Sequence, residues 1–536
     1  MTGRPAGPPL RGATEAADRD RTRSEATPLA GSAQADGDHT SPVGAHAAAN
    51  GMAVPHGADD AHATPRGGTA PVMDSHVPRR GRAPEPDERG ARRRDEPDER
   101  GVRRRDDGTA GVQGARPSEA GGRSAPVPHD DEAVDGEERP LRGLADVGDF
   151  ASRCFQGSGG DRVGVELEFL VFDRAAAGRH VPLEEVARTL PPLPGGSRVT
   201  FEPGGQVELS GPAGPLPDAI DGLAADLAAA RRALAEAGLA LAGVGLDPVR
   251  PPLRQLRLPR YEAMAEFLGG PYGPLMMCST ASIQVNLDLG ERPGTRWERA
   301  HLLGPVLTAA FANSPLSGGR PFGWMSGRQA VWEHLDPTRT TPVRASGDPA
   351  ADWADYLLDA RLMLVREGGD RCRPVRDGST FRDWLATGEP TAADLAYHAT
   401  TVFPPVRPRG WLEIRYLDAQ HPATWPVCVA VTYALITDDR AADAALAAAQ
   451  PYGEPWPEAA RCGLTDPRLR KAAEGCFRAA LEALPRLGAP PALAGAVAAF
   501  ADRHVTPGRS PAADLIDLVR GPGRRLSAWL TEEGDA

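Results

Sequence analysis

The chain has 536 residues, of which 61 are basic and 73 acidic, so its formal net charge at pH 7 is −12. This acidic balance argues against a general nucleic-acid-binding protein, which would normally carry a basic domain. No run of about 18 apolar residues occurs, and the amino terminus lacks the apolar stretch of a secretory signal. Six cysteines that never form a CxxC pair indicate reduced thiols. We therefore expect a cytoplasmic protein that acts on small molecules, with no nucleic-acid and no membrane partner.

The first part of the chain differs in composition from the rest. The 12 Phe, 9 Trp and 7 Tyr residues all lie at or after Phe150. A segment with so little to bury cannot offset its chain entropy, so residues 1–145 are predicted to form a disordered Pro/Gly/Arg-rich tail. An 11-residue repeat occupies 85–95 and 96–106. Its arginine triplets are either a handle for an acidic partner or, as we favour because its charges largely cancel, a solvated linker. Residues 146–536 are predicted to form one catalytic domain.

Four later segments alternate apolar and polar side chains with a period of two, which is typical of β-strands with one buried face. These segments are residues 162–173, 199–210, 281–289 and 411–417, the second being a predicted hairpin that turns at Pro203. Segments rich in Ala and Leu predict helices at 218–241, 440–450, 466–487, 490–503 and 511–530. The predicted class is α+β, with helices on the apolar face of a mainly antiparallel sheet.

The polar face of the predicted strands is acidic and contains no lysine. Its five carboxylates are Glu166, Glu168, Glu202, Glu208 and Glu413. An antiparallel sheet with one face in water would show the same alternation, but such a face usually mixes Lys, Arg, Thr and Ser. Because hard divalent cations prefer oxygen ligands, we favour a metal-binding face.

The common nucleotide and nucleophile motifs are missing. GxxxxGK[ST], GxGxxG after a strand, GxSxG and HExxH do not occur in the sequence. A nucleotide would then be held by metals, arginines and backbone groups. Arg328 and Arg339 are candidates for clamping a phosphate or carboxylate, although a surface ion pair is the commoner role of a single arginine. His334 and Cys278, which have apolar neighbours, are interpreted as packing residues.

Several motifs follow one another along the chain. The longer ones are GVELE at 164–168, FEPGGQVELS at 201–210, MCSTASIQVNLD at 277–288 and LEIR at 412–415. Shorter ones lie at 260–264, 312–315, 326–328 and 339–340. Taken in order, these motifs resemble the glutamate–cysteine ligases of plants and many bacteria. The branch that they resemble most is the actinobacterial one that makes γ-glutamylcysteine for ergothioneine synthesis.

The resemblance implies a glutamine-synthetase-like catalytic fold, with a curved, mainly antiparallel sheet as the active-site cradle. It also implies ATP-dependent joining of the γ-carboxyl of L-glutamate to L-cysteine through γ-glutamyl phosphate, which gives γ-glutamylcysteine, ADP and phosphate. Roughly two or three Mg²⁺ ions, with Mn²⁺ as the alternative, would be bound by the five glutamates. The catalytic arginines implied are Arg415, Arg328 and Arg339. The residues implied to bind or orient the substrates are Arg260, Tyr261, Gln284 and Asn286.

Two other functions stay open at this point. One is a ligase of the same fold that joins glutamate to another amine, and the other is a non-catalytic binding protein derived from such a ligase. Loss of a metal-binding carboxylate would indicate the second, and all five glutamates are present. The disulfide regulation of the plant relatives is not carried over, because no matching cysteine pairs are identified. The oligomeric state is left open, a monomer included.

Overall fold

The computed structural model describes residues 138–368, 371–450, 455–521 and 526–532. The 11-residue repeat and nearly all of the tail lie outside the described residues, so the predicted boundary after residue 145 stays a prediction. Within the described part, the first helix begins at Leu144. In this same part, no helix is both long and apolar enough to cross a bilayer.

The strands of this part of the chain are β1 (Val163–Asp173), β2 (Arg198–Phe201), β3 (Val207–Gly214), β4 (Leu239–Ala242), β5 (Ser282–Leu287), β6 (Leu316–Ser317), β7 (Arg320–Pro321), β8 (Leu364–Arg366), β9 (Cys372–Pro374), β10 (Val406–Pro408) and β11 (Leu412–Asp418). The α-helices are α1 (Leu144–Cys154), α2 (Leu183–Thr189), α3 (Leu216–Glu236), α4 (Pro259–Leu268), α5 (Tyr272–Ser279), α6 (Pro293–Ala310), α7 (Gly327–Glu333), α8 (Pro337–Thr340), α9 (Pro349–Asp359), α10 (Phe381–Thr387), α11 (Ala392–Ala399), α12 (Trp425–Thr437), α13 (Asp439–Ala449), α14 (Trp456–Cys462), α15 (Pro467–Ala483), α16 (Pro491–Phe500), α17 (Pro511–Arg520) and α18 (Leu526–Glu532).

Seven strands form the main sheet, in the order β10-β11-β5-β1-β3-β2, and β4 pairs with the carboxyl-terminal half of β1. The pairings of this sheet are antiparallel. Residues directly opposite each other in an antiparallel pair point to the same side. Glu168 lies opposite Glu208, and Glu166 lies opposite Gln284, so the register itself collects polar side chains on one face. The predicted α+β class and mainly antiparallel sheet are confirmed.

The other face of the sheet is apolar and covered by helices. Val165 and Leu167 on β1, like Val285 on β5, are buried in the main hydrophobic core. Helix α3 packs against β1 and β3, α6 against β11, and α12 against β5. Burying each such aliphatic side chain contributes about 1.5–3 kcal/mol, so this layer holds the strands in a fixed register.

Two of the predicted helices differ from the structure. The segment predicted as a helix over 218–241 is α3, which ends at Glu236, because Gly238 adopts φ +75° and turns the chain into β4. The apolar run of β4 continues the preceding Ala/Leu pattern, which is why periodicity alone missed the strand. The segment predicted as one helix over 511–530 is two helices, α17 and α18.

Candidate active site

The polar face of the sheet forms one wall of a cavity of about 800 Å³. This volume is within the usual range of small-molecule sites. All five predicted carboxylates line the cavity. Eight arginines line it as well: Arg198, Arg260, Arg328, Arg366, Arg371, Arg407, Arg409 and Arg415. Among the described lining residues there is no lysine and no histidine, so guanidinium groups supply the positive charge.

Three of the carboxylates form a cluster, which we call the acidic triad: Glu168, Glu202 and Glu208. Each offers an oxygen atom, and these oxygens lie within 4.8 Å of one another. Glu168 accepts hydrogen bonds from the backbone N–H and the hydroxyl of Ser282, both at 2.8 Å. Glu208 accepts from Thr200 Oγ1 at 3.0 Å and from the Ser210 hydroxyl at 2.7 Å. Three like charges this close repel one another, and a hard cation among them would relieve that repulsion.

The turn between β2 and β3 places Glu202 in the triad. The N–H of Glu202 donates to the Gln206 carbonyl at 2.9 Å, and the N–H of Gly205 donates to the Glu202 carbonyl at 2.8 Å. Gly205 adopts φ +86°, a conformation that favours glycine. At Gly204 a Cβ atom would lie 2.3 Å from the Cys278 carbonyl oxygen, so only glycine fits against α5 there. The two glycines thus let a tight turn aim an acidic side chain into the cavity.

The fourth carboxylate, Glu413, has a different environment, which we call the arginine cluster: Glu413 with Arg407, Arg409 and Arg415. Arg407 lies opposite Glu413 in the β10–β11 register. It donates two hydrogen bonds to the Glu413 carboxylate, from Nε at 2.6 Å and from Nη2 at 3.1 Å. Arg415 and Arg409 approach the same carboxylate at 3.3 and 3.6 Å. Burial alone would raise the pKa of Glu413, but the three guanidinium groups outweigh burial and hold that pKa well below its usual range.

Arg415 is directed by an irregularity in β11. The β11–β5 register shifts between Ile414 and Leu417, so β11 carries an extra residue at this point. Arg415 donates from Nη1 to Oε1 of Gln284, on the neighbouring strand β5, at 2.6 Å.

The last of the five carboxylates is Glu166, which accepts a hydrogen bond from Nδ2 of Asn286 at 2.7 Å.

Arg328, at the beginning of α7, lines the cavity and is largely buried. Its Nη2 donates to the Arg415 carbonyl at 2.8 Å, whereas its Nη1 has no hydrogen-bond partner among the described residues. Burial lowers the pKa of Arg328, and this effect is opposed by Asp418 and Glu168. A buried guanidinium nitrogen without a partner is costly unless an anion or water completes it.

The four predicted substrate-binding residues differ in whether they line the cavity. Arg260, Tyr261 and Gln284 line the cavity, and Asn286 does not. Arg260 donates to the hydroxyl and carbonyl oxygens of Thr400 at 2.8 and 3.0 Å. Its guanidinium carbon lies 5.0 Å from the centre of the Tyr397 ring, a cation–π distance. Asn286 reaches the site only through Glu166.

Arg339 is not where the sequence interpretation placed it. Its side chain is 0% exposed and does not line the cavity. It donates to the carbonyl oxygens of Thr401 and Arg361 and pairs with Asp336. Arg339 therefore joins the loops at Thr401 and Arg361, and its catalytic role stays a prediction. Of the two residues interpreted as packing, Cys278 lies in the core. His334 is exposed, and its ring stacks on that of Tyr272 at 4.5 Å.

Sequence reasoning missed several cavity residues. They are Arg198, Arg366, Arg371, Tyr397, Arg407 and Arg409. Most lie in strands of three or four residues or beside them, where a period of two has too few repeats to be seen. One signal was available for Arg407, because a hairpin turn at Gly410 places it opposite Glu413.

The sheet presents clustered carboxylates and eight arginines to one cavity, so the cavity offers groups of both charges to a ligand. Comparison with known proteins identifies the kind of enzyme. Residues 162–528 match the model of glutamate–cysteine ligase family 2 (GCS2). The glutamate–cysteine ligase EgtA of Mycobacterium tuberculosis is 45% identical over 381 residues, which cover 68% of this chain and 87% of that protein.

More distant relatives agree with that assignment. The chloroplastic glutamate–cysteine ligase of Medicago truncatula is 35% identical over 243 residues, covering 42% of this chain and 47% of that protein. The solved glutamate–cysteine ligase of Francisella tularensis, in complex with AMP, is 14% identical with a TM-score of 0.44. That alignment covers 71% of this chain and 88% of the Francisella chain. Because this TM-score is low, the assignment rests on the sequence comparisons.

The chain belongs to glutamate–cysteine ligase family 2. Its enzyme class is accordingly that of the ATP-dependent ligases, and the resemblance of the motifs to this family is confirmed.

Proposed function

We propose that the cavity joins the γ-carboxyl of L-glutamate to the amine of L-cysteine at the expense of ATP, with Mg²⁺ bound at the acidic triad. The observation that carries this proposal is the meeting of two opposite kinds of site in one cavity. The acidic triad offers oxygen ligands for cations, and the eight arginines of the lining offer positive charge for an anion. A nucleoside triphosphate that carries Mg²⁺ matches both the carboxylates and the arginines.

The donor set fits the proposed metal. Mg²⁺ prefers oxygen ligands and is usually held by a few carboxylates together with substrate phosphates. Glu168, Glu202 and Glu208 would hold it, with Glu166 beside them. When bound, Mg²⁺ would neutralise negative charge on the phosphate oxygens. Glu413 stays a predicted ligand from the sequence, and its carboxylate is at present surrounded by arginines.

The residues of the chain then account for the two chemical steps. In the first, a γ-carboxylate oxygen of glutamate attacks the γ-phosphorus of ATP, the bond to the β-phosphate oxygen breaks, and γ-glutamyl phosphate and ADP result. This step needs alignment and charge neutralisation more than a protein nucleophile. In this proposal Arg415 and Arg328 would hold the transferred phosphoryl group, and Glu413, which contacts Arg415 at 3.3 Å, would keep Arg415 oriented.

In the second step, the cysteine amine attacks the γ-carbonyl carbon and phosphate leaves with the bonding electron pair. The amine loses a proton, which the departing phosphate can accept. Arg260, which lines the cavity with Tyr261 and Tyr397, would bind a carboxylate of an amino-acid substrate. These assignments, like the cytoplasmic location expected from the sequence, are part of the proposal.

The test is ADP release by the full chain with ATP, Mg²⁺ and glutamate, adding cysteine or one of several other amino acids, with mass detection of the product. We expect ADP release that depends on cysteine and a γ-glutamylcysteine product. Release with another amine alone would refute cysteine as the substrate. Absence of release with every amine, from a folded chain that binds ATP, would refute the ligase. We further propose that the product supplies ergothioneine synthesis, as in the branch that the sequence resembles.

A further inference from the structure

Two neighbouring carbonyl groups at the bulge in β11 accept hydrogen bonds from side chains outside the sheet. Arg415 and Tyr416 lie within the register shift between β11 and β5. Because the ladder is disrupted at a bulge, the backbone polar groups there need other partners. Nη2 of Arg328 donates to the Arg415 carbonyl at 2.8 Å, and Nε2 of Gln329 donates to the Tyr416 carbonyl at 2.9 Å. Helix α7 therefore holds the bulge at two consecutive residues.

The beginning of α7 is fixed in turn by a buried carboxylate farther along β11. Asp418, the last residue of this strand, is only 2% exposed. Its Oδ2 accepts from the Ser314 hydroxyl at 2.7 Å, and its Oδ1 accepts from the Ser326 hydroxyl at 2.9 Å. The Ser314 hydroxyl accepts from the N–H of Arg328 at 3.0 Å. The Ser326 hydroxyl accepts from the N–H of Gln329 at 3.1 Å. Asp418 thus orients the two serines that bind the first residues of α7.

Close packing leaves this arrangement little room to shift. At Gly327 a Cβ atom would lie 2.5 Å from the Ser314 carbonyl oxygen. At Gly245 a Cβ atom would lie 2.6 Å from Cγ of Asp418. The side chains of Ser314 and Ser326 are themselves buried. Because close-packed groups transmit a displacement instead of absorbing it, a change at Asp418 should move α7.

Asp418 and Gln329 are not among the described lining residues of the catalytic cavity, whereas Arg415 is. Any effect of the first two on the reaction must therefore pass through another residue. We propose that Asp418 and Gln329 are positioning residues, which hold the bulge of β11 through α7 and so keep Arg415 directed into the cavity. The inference rests on the proposed function in that Arg415 acts on the phosphates of ATP, and it requires no particular amine substrate.

The first experiment compares Asp418→Ala with Asp226→Ala in the full chain. Asp226, on α3, is also a fully buried carboxylate outside the cavity lining, and it accepts from the backbone N–H groups of Gly195 and Ser197. Both substitutions should lower the resistance to urea, because buried donors lose their acceptor. Only Asp418→Ala should lower kcat for ADP release, by about tenfold or more, since a small misplacement of a catalytic group is costly. Asp226→Ala should keep kcat within about twofold of the wild type.

The second experiment is a double-mutant cycle with Arg415→Ala. If Asp418 acts through Arg415, adding Asp418→Ala to Arg415→Ala should change kcat by less than about twofold. A general loosening of the cavity would lower kcat by the same factor in both backgrounds. The affinity for ATP with Mg²⁺, measured calorimetrically, is taken through the same cycle. This second readout tests the positioning even if the chain joins no amine, so failure of the ligase proposal and failure of this inference are distinguishable.

Gln329→Met provides the test if Asp418→Ala does not fold. Gln329 is half-buried, and the substitution removes the donor to the Tyr416 carbonyl. We expect kcat to fall about threefold or more, and that loss to disappear in the Arg415→Ala background. Unchanged kcat and ATP affinity in Gln329→Met would overturn the proposal. A loss that persists undiminished in Arg415→Ala, or an equal loss of kcat in Asp226→Ala and Asp418→Ala, would do so as well.

Discussion

The two sides of the catalytic cavity use the same residue type in opposite ways. In the acidic triad, three glutamates lie close together and accept hydrogen bonds from hydroxyl and backbone groups on neighbouring strands. In the arginine cluster, one glutamate is surrounded by three guanidinium groups of the same chain. A sheet register and a hairpin register, respectively, create these environments.

The carboxylates of the two environments differ in whether their charge serves a ligand or the fold. Repulsion within the triad makes a bound cation favourable, so its charges serve a ligand more than the fold. The charge of Glu413 is buried and matched within the protein, so its removal leaves guanidinium groups without a counter-ion. Loss of a carboxylate from the acidic triad should therefore lower turnover. Loss of Glu413 from the arginine cluster should lower the stability of the fold as well.

The largest effect is expected from Glu208→Gln. The substitution keeps the shape of the side chain but removes a proposed metal ligand, so turnover should fall at least about 10³-fold. The free energy of unfolding without Mg²⁺ should be nearly unchanged, because one repelling charge has gone. ADP release and urea unfolding measure the two quantities. Asp288→Asn, at the end of β5 and paired with Arg162 outside the cavity, is the control and should keep turnover within about threefold. Near-normal turnover in Glu208→Gln would refute the metal assignment.

The next effect concerns folding. Glu413→Gln should lower the free energy of unfolding by about 3–5 kcal/mol, because it breaks a buried ion pair and leaves Arg407 and Arg415 uncompensated. Urea denaturation followed by circular dichroism measures this change. Glu262→Gln, which removes a largely exposed partner of Arg254, is the matched control and should cost less than about 1 kcal/mol. If both variants lose the same small amount, the arginine cluster does not stabilise the fold.

A smaller effect follows from pH. The pKa of Glu413 is lowered in the folded state from its ordinary value of 4.5, so the stability that its ionisation contributes is present above that value. That contribution should decrease as pH falls below 4.5, by about 1.4 kcal/mol per pH unit. The difference in unfolding free energy between the wild type and Glu413→Gln should therefore be constant from pH 7 to 5 and shrink below that. A difference that stays constant down to pH 3 would contradict the assignment.

The smallest effect expected is a shift in melting temperature. Mg²⁺ at ten times its dissociation constant stabilises the folded state by about 1.4 kcal/mol, which corresponds to roughly 2 °C for a chain of this size. Differential scanning calorimetry should show this increase for the wild type and for Glu413→Gln, and none for Glu208→Gln. An equal increase in all three proteins would place the ion elsewhere.

How much of the fold and of the site could be predicted from the sequence depends on the length of the repeating pattern. β1, β5 and β11 have six or more residues, and their alternation correctly predicted the shared polar face. The position of Arg415 could be predicted only in part, because a register shift in β11 that no pattern reveals sets its direction. The position of Arg339 outside the cavity lining could not be predicted, because its burial depends on loops near Thr401 and Arg361 that are distant in the chain.

The cavity also illustrates where sequence reasoning cannot reach. Arg366 and Tyr397 come to the site from β8 and α11, and their meeting depends on tertiary packing rather than on any local periodicity.

The chain contains a single lysine, Lys471, which is exposed on α15. Every cation among the described residues of the catalytic cavity is consequently an arginine, which stays charged at any physiological pH. Acylating agents that modify amines therefore have no target in that cavity and cannot change its charge. Dicarbonyl compounds react with guanidinium groups, and six of the eight in the lining are not buried, Arg328 and Arg407 being the exceptions. The enzyme is thus chemically indifferent to acetylation at its active site and vulnerable there to glycation.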